Sequence, residues 1–360
     1  MTKLTLKLAK YYWTFIAPIY CKNRRAQSHT RNVLLFKTDG LGDFFLLVPF
    51  IQNLLHQQYN VICVGNKQCR DIINHLKLPV IFIDLNTTSV NGFKKTISSV
   101  NKYSYDFAFN LSMNIWGGFV VNQSFSNVKI GLLQEREHYI YKGAALFYDK
   151  ILSYNRSMHT FDVIQRVFTN TIALPDTQQS IAFHETGDNK YIAIHPYANW
   201  QPRIWPHFKE LIIQLLDRGI SIHILGTLKE HSGNIWLREI THGGLSVITL
   251  SSIDHLMTEI DHATAFIGND SGPAHYASLI GKKTVVIWGP GFFERIHPVG
   301  CNVTFCKFDI DCRPCRQKGD ICLRGDNECL KKISVNDVLG IFDKEIPEHF
   351  LKPYSPICSL

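Results

Sequence analysis

From Asn32 onward, short apolar runs alternate with stretches of helical spacing. Val33-Leu34-Leu35-Phe36 is followed by a helical pattern over 44–59, then Val61-Ile62-Cys63-Val64, Val80-Ile81-Phe82-Ile83 and Phe107-Ala108-Phe109. This βαβ alternation, continuing to Gly131, predicts a mostly parallel sheet with helices on both faces. A looser stretch, 132–185, holds one predicted helix over 161–169 and a polar run at 177–180, and reads as an interdomain connection. A second alternation begins at Tyr191-Ile192-Ala193-Ile194. It predicts helices over 205–218, 230–240, 253–262 and 274–280, and strands over 220–225, 247–248, 265–267 and 284–288. The fold class expected is therefore α/β, with two Rossmann-like, nucleotide-type domains of mostly parallel sheets facing across a cleft. Ligands of open parallel sheets bind beyond the carboxyl ends of the strands.

Composition sharpens this picture without changing it. A chain of 360 residues with 45% apolar content is long enough for two cores. No apolar run reaches about 18 residues, so no membrane-spanning helix is expected. The start of the chain lacks the layout of a cleavable signal, which leads to an expected cytoplasmic location. The net charge of +8 favours acidic partners: nucleic acid, anionic lipid or a phosphorylated substrate. The basic residues form no long block and no RNA-recognition signature is present, so nucleic acid is the least favoured. Within 1–31, Lys3, Lys7, Lys10, Lys22, Arg24 and Arg25 bracket Tyr11-Tyr12-Trp13-Thr14-Phe15-Ile16. That is the pattern of an anchor to an anionic membrane surface, or of a terminal helix packed on the globular body.

Candidate chemistry collects at the predicted strand ends. Gly268-Asn269-Asp270-Ser271-Gly272-Pro273 joins a buried strand to a small-residue helix, where unpaired amides and the positive helix end suit a phosphate. The same turn is also an ordinary capped connection. Pro273 near the first turn costs little. The first strand runs into Lys37-Thr38-Asp39-Gly40-Leu41-Gly42-Asp43, a G-x-G spacing that lacks the third glycine of a dinucleotide fingerprint, so a nicotinamide site is not expected. Asp43 is read there either as a helix N-cap or as a general base beside glycines that admit a substrate. Arg203, in Pro202-Arg203-Ile204-Trp205-Pro206, could neutralise a departing diphosphate or be a solvated charge. Glu230, after Leu225-Gly226-Thr227, suits ribose hydroxyls and a helix dipole equally.

Six of the ten cysteines fall within 29 residues. Cys312, Cys315, Cys322 and Cys329 read as a structural zinc site or as free or redox-active thiols, with a C-x6-C second pair wider than a usual zinc ribbon.

Together these residues resemble glycosyltransferase family 9, the ADP-heptose:lipopolysaccharide heptosyltransferases. The resemblance covers most of Asn32 to Asp343 and rests on four ordered blocks: KTDGLGDFFLLVPFIQNL, IAIHPYANWQPRIWPHF, the strand with LGTLKE, and FIGNDSGPAHYASLIGKKTVVIWGPGFFERIHPVG. The cysteine segment ending CLKKI is also similar to a tail seen in members. The resemblance implies a GT-B architecture: an acceptor domain and linker over 32–185, an ADP-sugar domain over 186–300, a Cys-rich segment over 301–332, and a helix and tail over 333–360; the basic and aromatic extension over 1–31 is not part of the core family pattern. It implies inverting transfer of a heptose to lipid A core oligosaccharide, with no metal or other cofactor required for catalysis, at the cytoplasmic face of the inner membrane. Asp43 matches the family's base and Arg203 its cationic residue before Trp-Pro. Asp270, Ser271, Gly272 and His275 match the donor-phosphate and sugar block, Glu230 the ribose-binding acid, and Lys37, Gly40 and Gly42 the acceptor side. Two departures stand out: Tyr197 and Thr227 occupy positions where the family commonly has glycine.

Overall fold

A computed structural model describes residues 25–26, 30–112, 114–134, 147–155, 157–181, 191–313, 315 and 321–346. The anchor pattern at 1–24 lies outside them. No helix among the described residues is long and apolar enough to cross a membrane. The chain divides into two compact units, Met1–Thr177 and Gln178–Leu360.

The first unit carries a six-stranded sheet. Its strands are β1 (Asn32–Phe36), β2 (Asn60–Gly65), β3 (Ile81–Asp84), β4 (Ser104–Asn110), β5 (Phe125–Gln134) and β6 (Lys150–Tyr154), in the order β3-β2-β1-β4-β5-β6. Every ladder is parallel; Leu34 of β1 pairs with Ile62 and with Ala108. The central strands read as unbroken apolar runs because both of their faces are covered. Val33, Leu34, Leu35 and Phe36 are all fully buried. Three of the flanking helices start on a residue that supplies the missing amide acceptor: Asn66 accepts from the Cys69 N–H, Ser89 from Gly92, and Asn114 from Gly117.

The sequence predicts one helix over 44–59, and the structure has two, Leu41–Phe45 and Val48–His56. The break falls at Leu46 and Leu47, just before Pro49, whose missing N–H is harmless only within a first turn. The stretch read as a connection from Leu132 also carries part of this sheet, since β5 runs to Gln134 and β6 pairs beside it.

The second unit repeats the plan with β7 (Tyr191–His195), β8 (Ser221–Gly226), β9 (Leu245–Thr249), β10 (Ala265–Asn269), β11 (Lys283–Trp288) and β12 (Val303–Lys307). Their order is β12-β11-β10-β7-β8-β9, again parallel throughout. β12 extends this sheet beyond Gly300, so the start of the cysteine-rich segment belongs to the domain itself. The helix Val335–Glu345 opens with a Ser334/Asp337 capping box. It buries Val335, Val338, Leu339 and Phe342 in the same core as Ile194, Trp205 and Leu215.

Counted within its own unit, each sheet has the strand order 3-2-1-4-5-6. The order reverses between β1 and β4 in the first unit and between β7 and β10 in the second. Loops diverge at such a switch point and leave a crevice beyond the strand ends.

Candidate functional site

In the first unit the switch-point loop is held by polar side chains from both strands. The buried Lys37 ammonium lies 2.7 Å from Oδ2 of Asp39 and donates to the Leu111 carbonyl at 3.1 Å. Ser112 Oγ donates to Asp39 Oδ2 at 2.8 Å and accepts from the Thr38 N–H at 2.9 Å. Asn114 Nδ2 donates to Thr38 Oγ1 at 2.7 Å, and Asn110 Oδ1 accepts from the Ser112 N–H at 3.1 Å. Lys37 is thus part of the loop's own framework. Asp39, Asn110 and Ser112 were not singled out by the sequence, because Asn110 and Ser112 stand over 70 positions away in the chain.

The loop delivers Gly40 to the N-cap of helix Leu41–Phe45, without a side-chain cap. Asp43 is therefore not the N-cap, and that reading of it is corrected: it lies inside the first turn, half-buried, with Gly42 in the same helix. A Cβ on Gly40 would sit 3.6 Å from Asp43 Oδ2, so the absent side chain keeps the approach to that carboxylate open.

In the second unit the equivalent loops bring Arg203 and Asp270 together. Arg203 ends a short 3-10 turn, Gln201–Arg203, and its guanidinium lies over the Trp200 ring at 4.6 Å. Arg203 Nη1 is 3.1 Å from Asp270 Oδ2, with side chains 21% and 3% exposed. The contact is ionic and poorly aligned, since Asp270 Oδ2 and Arg203 Nε both lie buried without a hydrogen-bond partner. Burial pushes the Asp270 carboxyl up to about 6 despite the opposing Arg203 charge. Asn269 ties the loops together: its Oδ1 accepts from the Trp205 N–H at 3.0 Å, and its Nδ2 donates to the Tyr197 carbonyl at 3.4 Å.

Helix Gly272–Leu279 begins here with Ser271 as N-cap and Pro273 in its first turn. Ser271 Oγ donates to the Asn269 carbonyl at 3.2 Å and caps nothing; Pro273 has no N–H and the Ala274 N–H donates to the Ser271 carbonyl at 3.2 Å, so the Gly272 N–H is the helix amide left for a ligand. His275, one turn further, is buried.

Glu230 closes a capping box. Its Oε2 accepts from both the N–H and the Oγ1 of Thr227, each at 2.7 Å. The residue that replaces glycine at 227 therefore engages the candidate ribose acid. Tyr197, the other departure, is buried, and its hydroxyl lies 2.8 Å from His231 Nδ1. Its ring covers Gly226, where a Cβ would come within 2.3 Å of Tyr197 Cε2. Burial holds the neighbouring His195 imidazole down at about 4, keeping it neutral.

The sequence profile described as Glycosyltransferase family 9 (heptosyltransferase) matches residues 93–324. The chain belongs to glycosyltransferase family 9. Among curated members, lipooligosaccharide heptosyltransferase 2 of Campylobacter jejuni is 33% identical over 90 residues, which is 25% of this chain and 28% of that protein. Lipopolysaccharide heptosyltransferase 2 of Escherichia coli K12 is 27% identical over 132 residues, covering 32% of this chain and 36% of that protein. The aligned stretches thus span about a third or less of those relatives' lengths. The fold is similar to that of the E. coli heptosyltransferase WaaC solved with ADP, with a TM-score of 0.71 at 18% identity, covering 87% of this chain and 99% of that one. Two parallel six-stranded sheets are thus the family's GT-B composition.

Cys312, Cys315, Cys322 and Cys329 are all free thiols lining one small pocket of the second unit. Burial pushes Cys329 up to about 11. At Cys322 burial acts the same way, but amides of Asn327, Arg324 and Gly325 outweigh it and hold the thiol below its usual range. Among the described residues no three of His, Cys, Asp or Glu are gathered closely enough to hold a metal ion.

Proposed function

We propose that this chain is an inverting glycosyltransferase that moves a heptose from ADP-L-glycero-D-manno-heptose to the lipopolysaccharide inner core, on Kdo-lipid A or a heptosylated core. The observation that carries the reading is the Arg203–Asp270 pair beside the uncapped Gly272 amide that opens helix Gly272–Leu279. A guanidinium and a helix-end amide beyond the strands suit the diphosphate of a nucleotide sugar. The names of the curated relatives, and the ADP with which WaaC was solved, support the same donor class.

In this reading an acceptor hydroxyl oxygen attacks the anomeric carbon as the bond from that carbon to the diphosphate oxygen breaks. The hydroxyl proton passes to Asp43, and ADP leaves. Negative charge grows on the diphosphate during this step, so Arg203 and the Ser271 and Gly272 amides bind the transition state more strongly than the ground state. Glu230 keeps Oε1 outside the capping box and available to a ribose hydroxyl. No metal enters the step. The proposed acceptor is a lipid, and the basic, aromatic composition of 1–31 supports work at an anionic membrane surface on the cytoplasmic face of the inner membrane.

One observation favours a second reading, transfer of another sugar from a nucleotide donor. Tyr197 fills space over Gly226 where the family resemblance places glycine, which reshapes the end of β8. Turnover of ADP-heptose and competing nucleotide sugars, each with a Kdo-lipid A acceptor, separates the two. Acceptor-dependent ADP release from ADP-heptose supports the first, and product only from another donor replaces it with the second.

A further inference from the structure

We propose that Trp200 is a positioning residue for Arg203: its ring carries the guanidinium and lets it turn from Asp270 to the donor diphosphate without leaving the aromatic face. The inference rests on the reading of Arg203 as the cation that meets the diphosphate, and it assigns the residue that holds that cation ready.

The sequence builds the arrangement within one turn. Trp200 is the N-cap of the 3-10 turn Gln201–Arg203, and the Arg203 N–H donates to the Trp200 carbonyl at 2.9 Å. Such a turn takes about three residues per revolution, so side chains three positions apart lie over one another. Trp200 and Arg203 form that pair, with Arg203 Cζ 4.6 Å from the centroid of the Trp200 ring. The turn is stiff: Pro202 restricts its backbone and is buried. Just beyond it Trp205 is buried, and its indole N–H donates to the Ile333 carbonyl at 2.9 Å. Trp205 thus anchors the loop, whereas Trp200 is 39% exposed and presents its ring to the guanidinium.

The guanidinium's other contacts are weak. Nη1 faces Asp270 Oδ2 at 3.1 Å, and Nε is buried without a hydrogen-bond partner. A hydrogen bond weakens steeply as its donor turns away. Attraction to a ring quadrupole requires only that the cation stay over the face, and indole offers the best such face among side chains. A guanidinium seated on Trp200 can therefore give up Asp270 for an anion beside the Gly272 amide and keep the aromatic contact throughout.

The test is a double-mutant cycle on the full chain, with ADP affinity from calorimetric titration and kcat and KM from turnover of ADP-heptose. Trp200→Ala should weaken ADP binding and lower kcat by about tenfold each, the scale of a partly desolvated cation–π contact. Trp200→Phe keeps a ring face and should recover most of the loss. Trp200→Leu keeps apolar bulk alone and should resemble Trp200→Ala. In an Arg203→Ala background, Trp200→Ala should cost nothing further. Circular dichroism checks that each variant is folded, and ADP affinity decides the cycle whichever sugar is transferred. Wild-type behaviour in Trp200→Leu would overturn the positioning role. So would an equal loss from Trp200→Ala with and without Arg203, which would mean that Trp200 meets the ligand itself. Weakened ADP binding in Arg203→Ala with no effect of any Trp200 variant would leave the donor reading standing and remove Trp200 alone. Unchanged ADP affinity in Arg203→Ala would instead overturn the donor reading, and the positioning role with it.

Discussion

Arg203 Nη1 lies 3.1 Å from Asp270 Oδ2, yet the carboxylate oxygen makes no aligned hydrogen bond and is almost fully buried. A buried ion pair held this loosely is poorly repaid for its desolvation. It leaves the guanidinium able to turn toward a second anion, which is what a site receiving a diphosphate needs.

Replacing the cation tests that role. Arg203→Ala should weaken ADP binding and lower turnover by about 10²-fold, the scale for losing one preorganised donor to a developing charge. Calorimetric titration with ADP and steady-state kinetics read the two effects. Unchanged values for both would remove Arg203 from the site.

The raised Asp270 carboxyl has a consequence for pH. Its folded value of about 6 exceeds the unfolded 3.8, so between these limits the native state holds more protons than the unfolded chain. Its contribution to stability therefore falls as pH rises from about 4 to about 6 and is level above, a change of roughly 3 kcal/mol for a shift of this size. Urea unfolding of wild type and Asp270→Asn across this range should show that decline in the difference between them. A difference independent of pH would contradict the assignment.

Gly291 guards the same carboxylate. A methyl group there would meet Asp270 Oδ2 at 2.2 Å and the Trp288 ring at 2.9 Å. Gly291→Ala should cost about 1–3 kcal/mol, the usual scale for overpacking, and should reduce ADP affinity as well. Thermal unfolding and ADP titration of the variant measure both.

Asp43→Ala should lower kcat by about 10²-fold or more while ADP affinity is largely kept, since a general base acts only in the chemical step. Near-normal turnover in this variant would sink Asp43 as the base.

Tyr197 and His231 supply a check on the departure from the family pattern. His231 Nε2 lies 2.9 Å from the Ile248 carbonyl and must donate to it, so Nδ1 accepts from the Tyr197 hydroxyl. Tyr197→Phe should then cost about 1 kcal/mol from the orphaned acceptor. Tyr197→Gly should broaden or shift the choice of donor sugar, which competition between nucleotide sugars would reveal.

Most of both sheets was legible because their central strands are buried on both faces and read as unbroken apolar runs, as at Val33–Phe36 and Thr284–Trp288. β6 escaped because it forms a sheet edge and exposes Lys150 and Ile151, leaving no apolar run to find. β12 was hidden inside a segment dominated by its cysteines. The Arg203 and Asp270 positions were visible as loops after strands, but the two residues stand 67 positions apart and meet only because β7 and β10 lie side by side. The Lys37–Asp39–Ser112 framework has the same origin across β1 and β4. Local spacing carries strands and turns, whereas contacts across a switch point appear only once the strand order is known.

The most direct test is ADP release by the purified chain from ADP-heptose, with and without Kdo-lipid A acceptors bearing zero, one or two heptoses. Release should require one of these acceptors and should be lost in Asp43→Ala and Arg203→Ala. Tight ADP binding with no release in the presence of any acceptor would contradict heptosyl transfer by this chain.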